Sequence, residues 1–258
     1  MLSYLKSECW RIATSKGVYL LTFALAALAL AANLLLFAMN HLEADFPYGT
    51  ARFSLSNLIA MIFLVMLFAG VLAFLLYADD RKNGTTKNTL AAGLSRTQVF
   101  FGKCLTSSCF GLASALVILL IYIGSAVVLL DGPASEAVAV LLLGIVAVLP
   151  ASVAAIVLTI ASLHFIQNSY WAATFWMVVL FVVPTLIFSL GLYFEPLALL
   201  AGWLPGSIFL NEVGEVSMSS FDCLWQTGSG MLRCLLAGII SGAIFFGFGL
   251  WCSRRMEF

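Results

Sequence analysis

A stretch of 58 residues, from Ala137 to Phe194, contains no Asp, Glu, Lys or Arg. A helix needs about 20 mainly apolar residues to cross the hydrocarbon core of a membrane, so this stretch is too long for one crossing and sufficient for two. Its only polar cluster, His164 to Tyr170, marks the turn between them. A chain that contains two such helices in succession is expected to fold in a lipid bilayer.

The composition agrees with this, because only 9% of the residues are charged and the mean hydropathy is +1.09. A soluble domain carries about 25% charged residues. The low charged fraction and the high mean hydropathy exclude a soluble enzyme, a disordered chain and a protein that binds nucleic acid through a basic surface. The long apolar runs also exclude an outer-membrane barrel, whose strands alternate polar and apolar residues.

We therefore predict an all-α fold, a polytopic membrane protein whose single transmembrane domain covers residues 1–258 and contains six transmembrane helices. The predicted spans are 18–39, 55–78, 104–130, 137–163, 171–194 and 231–252. Between and before them lie an interfacial helix at 1–17, a cytoplasmic loop at 79–103 and an external segment at 195–230.

The basic residues predict the orientation. With six spans, ten of the twelve Lys and Arg residues fall on one face, and that face is predicted to be the cytoplasm. Both termini then lie in the cytoplasm, and Arg52 and Arg233 are the basic residues on the other face. The ten are Lys6, Arg11, Lys16, Arg81, Lys82, Lys87, Arg96, Lys103, Arg254 and Arg255.

Residues 1–17 have the pattern of a helix that lies along the membrane surface. Leu2, Leu5, Cys9 and Ile12 recur at helical spacing, and polar or basic residues occupy the rest of the circumference. Such a helix places basic side chains near anionic headgroups. A solvated extension is the alternative. A cleavable signal peptide is disfavoured because the apolar run that follows exceeds the usual length of about 7–15 residues.

The sequence lacks the residue patterns that metal binding, ATP binding and ion-coupled transport require. The six cysteines show no C-x-x-C spacing and the two histidines are predicted on opposite faces, so we expect no metal site. A single external disulfide between Cys223 and Cys234 stays open. The chain has no P-loop, and no ionisable residue falls at mid-membrane, where ion-coupled transporters carry them. We expect no enzymatic activity and no cofactor in this chain, and an energy source on another subunit.

The loop at 79–103 contains the signals of two helices. Thr85 or Thr86 is suited to cap a short helix that ends at Gly93, a residue that accepts a left-handed backbone. Ser95 with Gln98 three residues later is a capping-box signature for the next helix. The loop is either a positively charged topological anchor or a docking helix that receives a partner.

The residues of this loop resemble the cytoplasmic loop of ABC-2 type permeases, the membrane subunits of ATP-binding-cassette exporters. The similar segments are Gly84-Thr85, Lys87-Asn88-x-Leu90, Ser95-Arg96-Thr97 and Gly102-Lys103. Two positions depart from the family pattern. Asp79 and Asp80 stand where the family commonly has Glu, and Ala91 replaces the second leucine of a Leu-Leu pair.

The resemblance implies a permease that is coupled to a separate ATPase. Residues 84–94 would be the coupling helix, and two copies of the ATPase subunit would bind the ATP and magnesium. Lys87 and Arg96 would form ion pairs with the ATPase, and Leu90 would be an apolar anchor. The residues implied in coupling are Gly84, Thr85, Lys87, Asn88, Leu90, Ser95 and Arg96.

The resemblance further implies a second permease chain, identical or paralogous, in the cytoplasmic membrane of a bacterium. Gly238 and Gly242 in the last span fit the small-x-x-x-small pattern of close helix packing, and so does the face of span one that carries Ala24, Ala27 and Ala31. For both patterns, packing within one chain is favoured over a contact between two copies.

The external segment at 195–230 is predicted to form short interfacial or re-entrant helices, with Trp203 and Trp225 as interface anchors. The expected substrate is hydrophobic or amphipathic, and by resemblance it is a peptide, an antimicrobial or a lipid-like molecule, as in antimicrobial-peptide resistance.

Two other functions remain open. A membrane-embedded enzyme would depend on a cluster in the external loop, His41, Glu43, Asp45 and Arg52. An ion-coupled secondary transporter would have to work without a charged residue at mid-membrane.

Overall fold

The structure is a computed structural model that describes residues 1–43, 46–78, 89, 91, 93–217 and 220–255. Its helices are α1 (Leu2–Ala13), α2 (Lys16–Leu42), α3 (Ala51–Ala60), α4 (Phe63–Tyr77), α5 (Arg96–Leu129), α6 (Ser135–Phe165), α7 (Ser169–Met177), α8 (Val183–Gly191), α9 (Glu195–Ala201), α10 (Pro205–Asn211) and α11 (Gly228–Arg255). A π-helical turn (Val178–Val182) joins α7 to α8, a hairpin contains β1 (Gly214–Val216) and β2 (Phe221–Cys223), and a 3-10 turn (Leu224–Gln226) precedes α11.

The long helices make this an all-α multi-pass membrane protein. Five of them are long and apolar enough to cross a bilayer: α2, α5, α6, α11 and the continuous unit of α7 and α8. The helices α3 and α4 pass the same test only as a pair, and they are bent by 62° relative to each other. The described residues therefore hold five spans, or six if the bent pair is one span.

The bend corrects the expectation of one continuous helix at 55–78. The side chains of Ser56 and Asn57 both donate hydrogen bonds to the carbonyl of Phe53, at 2.7 and 3.0 Å. Polar side chains that bond to a carbonyl one turn back compete with the helix and bend it. At the break, Ile62 N bonds to the carbonyl of Ile59, three residues back, and the α-helical pattern is interrupted.

The helix α6 lies at the centre of the bundle. Of its most apolar window, 61% is buried inside the protein, against 11% for α2. It packs between α4 and α11. Glycines on α4 and on α6 itself leave space in these contacts for large side chains. Gly70 of α4 leaves room for Trp176, whose indole N–H donates to the carbonyl of Ala155 at 3.2 Å.

The short helix α10 packs against the middle of the α7–α8 unit. Leu180, at the centre of the 23-residue segment Ser169–Gly191, has its carbonyl oxygen against Gly206 of α10. A side chain at Gly206 would overlap that oxygen, so only glycine permits the contact. The neighbouring Ile208 and Phe209 are fully buried in the core. The predicted short helices are thus present as α9 and α10, and their depth in a bilayer remains a prediction.

The hairpin and the turn after it lie against the part of α6 that contains Val140 and Gly144. The strands β1 and β2 are antiparallel, with Gly214 opposite Cys223, and Gly214 adopts a left-handed φ of 106°. Trp225 is only 1% exposed and donates its indole N–H to the carbonyl of Val140 at 3.1 Å. The expectation that Trp225 anchors the chain at the membrane interface is wrong, because Gly144 of α6 leaves a space that the indole fills.

All six cysteines are unpaired. Cys223 and Cys234 are both buried, and they form no disulfide.

The bundle has two ends, which we call the basic end and the acidic end. At the basic end meet α1, the end of α4, the start of α5, the end of α6, the start of α7 and the end of α11. Three contacts show this: Ser169 Oγ donates to the carbonyl of Ala78 at 3.2 Å, the Phe100 ring packs on His164 at 5.7 Å, and Gly249 packs on Phe100. The acidic end is held by Asn40 with Asp131, Arg52 with Glu136, and Arg233 with Glu212.

Candidate functional site

The face of α1 that packs against the bundle contains polar residues. Tyr4, Glu8 and Ile12 are buried, one on each successive turn, whereas Leu2 and Cys9 are exposed. The apolar stripe expected from the sequence is therefore only one face of this helix. The second face carries a carboxylate and a phenol into the protein at the basic end.

Tyr4 attaches α1 to the start of α5. Its hydroxyl donates to the carbonyl of Val99 at 3.4 Å, and its ring lies against Gly102, where an added Cβ would come within 2.5 Å of Tyr4 Cε1. Burial, together with the nearby Glu8 carboxylate, raises the pKa of the Tyr4 phenol well above its usual range. Tyr4 is therefore a neutral hydrogen-bond donor.

Glu8 and Arg11 attach α1 to the end of α4. The guanidinium of Arg11 is bonded to Glu8 Oε2 through Nη2 at 2.7 Å and Nε at 3.1 Å. Its Nη1 donates to the carbonyl of Leu76 at 3.1 Å. The last carbonyls of a helix lack partners within the helix and carry a partial negative charge, so a cation from a neighbouring helix stabilises this terminus.

The ring of Tyr77, the last residue of α4, contacts two cations. Arg11 Cζ is 4.7 Å from the centre of its ring and Lys103 Nζ is 4.8 Å from it. A ring face attracts cations, and the attraction is larger where water is excluded. The Tyr77 hydroxyl lies 3.5 Å from Glu8 Oε2 and 3.5 Å from the carbonyl of Lys103. We call Tyr4, Glu8, Arg11, Tyr77 and Lys103 the junction cluster.

The junction cluster joins three helices around the loop at 79–95. α4 ends where this loop begins, α5 starts where it ends, and α1 is bonded to both. Lys103 is 3% exposed and Glu8 is 8% exposed, so both charges are largely removed from water. Arg11 and Lys103 contact the Tyr77 ring, Arg11 bonds to the carbonyl of Leu76, and Tyr4 bonds to the carbonyl of Val99. Because these contacts join α1 to α4 and α5, the three helix ends are expected to move together.

The start of α5 has the predicted capping box. Gln98 N donates to Ser95 Oγ at 3.2 Å, and Ser95 N donates to Gln98 Oε1 at 3.0 Å. Ser95 is exposed and Arg96, the first helical residue, is half-buried. Gly93 has the expected left-handed backbone, with φ of 88°.

Five of the residues implied in coupling, Gly84, Thr85, Lys87, Asn88 and Leu90, lie outside the described residues. Their roles and the predicted helix at 84–94 remain predictions.

The predicted packing glycines of α11 contact α6 of the same chain. An added Cβ at Gly238 would lie 2.6 Å from Ala151 N, and one at Gly242 would lie 3.7 Å from Ala154 Cβ. Packing within one chain is therefore correct for this pair.

For the alanines of span one, the expectation of packing within one chain is wrong. Ala24, Ala27 and Ala31 are exposed, because α2 leans on α5 through its opposite side.

The external cluster proposed for an enzyme is not assembled in the described residues. His41 Nδ1 lies 3.0 Å from the carbonyl of Phe37, and its ring contacts the Phe37 ring at an interplanar angle of 43°. Arg52 instead forms an ion pair with Glu136 at 3.0 Å. Asp45 lies outside the described residues, and within the described part of the chain no group of His, Cys, Asp and Glu is placed to hold a metal ion.

Sequence reasoning gave no buried role to Glu8 or Lys103. It placed Glu8 in the interfacial helix at 1–17, and it counted Lys103 among the cytoplasmic basic residues and in the Gly102-Lys103 segment of the loop pattern. A usable signal was present, because Tyr4, Glu8, Arg11 and Ile12 recur at three- and four-residue spacing, as one face of a helix does. Gly102 directly before Lys103 was a second signal, since a glycine in a helix often marks a close approach of another element.

Comparison with known protein families gives one match. The family described as "ABC-2 family transporter protein" matches residues 4–184, which is more than two thirds of the 258 residues. The matched region begins at Tyr4 and includes the whole junction cluster. Comparison with curated proteins and with solved structures gave no match.

Proposed function

Because this chain belongs to the ABC-2 family of transporter proteins, we propose that it is the permease subunit of an ATP-driven exporter. Members of this family are membrane components of transporters and typically work with an ABC ATPase. In our proposal the basic end faces the cytoplasm of a bacterium, and the cargo is hydrophobic or amphipathic, such as a peptide, an antimicrobial or a lipid-like molecule.

The observation that carries the proposal is the position of the junction cluster. The loop at 79–95 is held at its two ends by α4 and α5, and α1 is bonded to both through Tyr4 and Arg11. A force applied to this loop by a partner would therefore reach three helices together. This is what a subunit needs if its own spans contain no energy source and an ATPase has to move them.

The roles proposed for residues in the loop come from the family resemblance, and this arrangement supports them. Ser95 caps α5 and Arg96 is its first residue, so a contact made there pushes directly along the axis of a 34-residue helix. Lys87 and Arg96 are proposed to pair with acidic groups of the ATPase, and Leu90 to fill an apolar depression. ATP and magnesium would be bound by two ATPase copies.

A second permease chain, identical or paralogous, completes the proposal. Gly238 and Gly242 are occupied by α6 of the same chain, so a second chain has to meet another surface. The exposed side of α2 is available for it in the described structure.

The alternative functions have less support. A membrane-embedded enzyme loses its candidate cluster, since His41 and Arg52 are bonded to different partners. An ion-coupled transporter would move cargo without an ATPase, and an ion gradient applied to vesicles of the purified chain would reveal it.

The direct test is purification of the tagged chain from membranes of its own host, with identification of the co-purified proteins by mass spectrometry. We expect a protein with a Walker A motif to co-purify with the native chain. Replacement of residues 84–94 by a Gly/Ser linker of equal length is expected to abolish this. A matched replacement of residues 43–48, at the acidic end, is expected to leave it unchanged. Full ATPase recovery with the 84–94 linker would refute the proposed coupling.

A further inference from the structure

A cavity of about 490 Å³ lies between α2, α4 and α5. On α2 its lining residues are Leu21, Leu25, Leu28 and Ala29, and the rest of the wall is formed by side chains between positions 64 and 71 of α4 and between 115 and 122 of α5, with Leu58 of α3 beside the bend. Ala29 is the central residue of the 27-residue α2, so the cavity lies at the middle of the span and away from both charged ends. Its volume is within the range of about 300–1,000 Å³ that is usual for small-ligand sites.

Two contacts hold the cavity open. Near the basic end α2 touches α4, where an added Cβ at Gly17 would come within 2.5 Å of Leu75 Cδ2. Near the acidic end α2 is bonded to α5, because Asn33 Nδ2 donates to the carbonyl of Tyr122 at 3.0 Å and to Ser125 Oγ at 2.7 Å. Between these contacts α2 follows α5 and separates from α4, and the space is left between them.

The side chains that line the cavity indicate that water does not fill it. The lining side chains are apolar except Tyr122, and the hydroxyl of Tyr122 donates to the carbonyl of Ser54 at 2.7 Å. A buried water molecule needs about two to four polar partners. A polar or charged ligand would leave its own groups unpaired at a high cost in free energy.

We propose that this cavity binds one acyl chain of a bilayer phospholipid. The cavity opens sideways at mid-membrane depth, where the surrounding solvent is hydrocarbon, and the exposed side chains of Leu28, Leu64 and Val71 form its rim. An empty space of this size would deprive its lining of dispersion contacts, and an acyl chain restores them.

The affinity comes from packing, because lipid tails are as apolar as the wall and their transfer has no hydrophobic driving force. The lipid thus fills the space between α2 and α4 that the two contacts leave open. This inference does not depend on which cargo the chain transports or on its ATPase.

Photocrosslinking in nanodiscs tests this inference. The probe is a phosphatidylcholine with a diazirine at the middle of one acyl chain, and labelled peptides are mapped by mass spectrometry. We expect labels on Leu25 and Ala115 inside the cavity as well as on the outward side of α2 at Leu34 and Leu35. Filling the cavity with Ala29→Phe is expected to lower the cavity labels at least fivefold relative to the outward labels.

A matched control is Ala24→Phe, the same substitution on an exposed position of α2 outside the cavity, and it is expected to leave the ratio unchanged. If Ala29→Phe does not fold, Ala115→Leu fills the cavity from α5. Three results would overturn the proposal: no cavity label in the native chain, as when a second copy occupies the space; an unchanged ratio in both filled variants; or cavity labels from a diazirine fatty acid but not from the phospholipid.

Discussion

The two ends of the bundle are held together by different kinds of contact. At the basic end the helices are joined through charges that are largely removed from water: Glu8 Oε2 lies 3.5 Å from the Tyr77 hydroxyl, and Lys103 Nζ lies 4.8 Å from the centre of the Tyr77 ring. At the acidic end the Arg52–Glu136 pair is more exposed, with the Glu136 side chain 59% accessible. The segment that follows α8 at this end packs backbone on backbone, where Gly206 of α10 meets Leu180 at the middle of the α7–α8 unit.

These contacts respond differently to a displacement. Charge–charge and charge–ring attractions fall off gradually with distance, so the junction cluster tolerates small shifts of α1, α4 and α5 but not the loss of a partner. Packed backbone has no such tolerance, because an interior at crystal density transmits strain. The basic end therefore has the properties of a joint, and the acidic end those of a rigid frame.

The largest expected effect is a difference in labelling between the basic end and the acidic end, because we expect them on opposite sides of the membrane. In a variant that keeps Cys9 and lacks Cys109, we expect a membrane-impermeant maleimide to label exposed Cys9 only after the cells are lysed, because basic segments stay in the cytoplasm. Tyr48→Cys in the same background, with Cys9 removed, should be labelled in intact cells. Buried Cys223 should stay unlabelled near neutral pH, because burial raises the pKa of its thiol to about 11. The reverse labelling order would invert the orientation.

Gly206→Ala should have the largest effect on stability. The new methyl group would overlap the carbonyl oxygen of Leu180, and no side-chain rotation relieves a clash with backbone. We expect a loss of about 3 kcal/mol, at the upper end of overpacking effects, measured as a lower midpoint of SDS-induced unfolding. Gly228→Ala at the same end is the control, because its Cβ would meet no atom within 4 Å. Equal midpoints for the two variants would show that the acidic end is not rigidly packed.

Glu8→Gln tests the joint. The glutamine keeps the shape of the side chain and removes the charge that pairs with Arg11. Breaking a buried ion pair costs about 3–5 kcal/mol, and we expect about 2 kcal/mol here because the Arg11 side chain is 35% exposed. The same SDS titration measures it. In membranes that contain the ATPase, transport should fall more steeply than the amount of folded protein. A parallel fall in both would mean that the cluster only stabilises the fold.

The features that the sequence could predict are local ones. The apolar runs marked the long helices because their length alone matches a bilayer. Ser95 and Gln98 predicted the capping box because both partners lie within one turn. The loop pattern from Gly84 to Lys103 identified the family, which the match over residues 4–184 confirms.

The features that it could not predict depend on a neighbour in space. Lys103 looked like a loop charge until the Tyr77 ring from another helix was placed beside it. Trp225 looked like an interface anchor, and the glycine that receives it, Gly144, is 81 residues away in the chain. The 62° bend between α3 and α4 follows Ser56 and Asn57, and mean hydropathy does not show it because α3 and α4 together still pass as one apolar span.

Glu136→Gln makes at the acidic end the substitution that Glu8→Gln makes at the basic end, and we expect the smallest effect from it. The pair with Arg52 measures 3.0 Å, but the exposed carboxylate is screened by water and salt. Arg52 also keeps its position over the Phe221 ring, 4.8 Å from its centre, when the carboxylate is neutralised. We expect a loss below about 0.5 kcal/mol in the SDS titration, as for surface ion pairs in general, and a smaller one in high salt. A loss as large as that of Glu8→Gln would contradict the contrast between the ends, because identical chemistry would then have identical consequences whether the charge is buried at the junction or exposed on the frame.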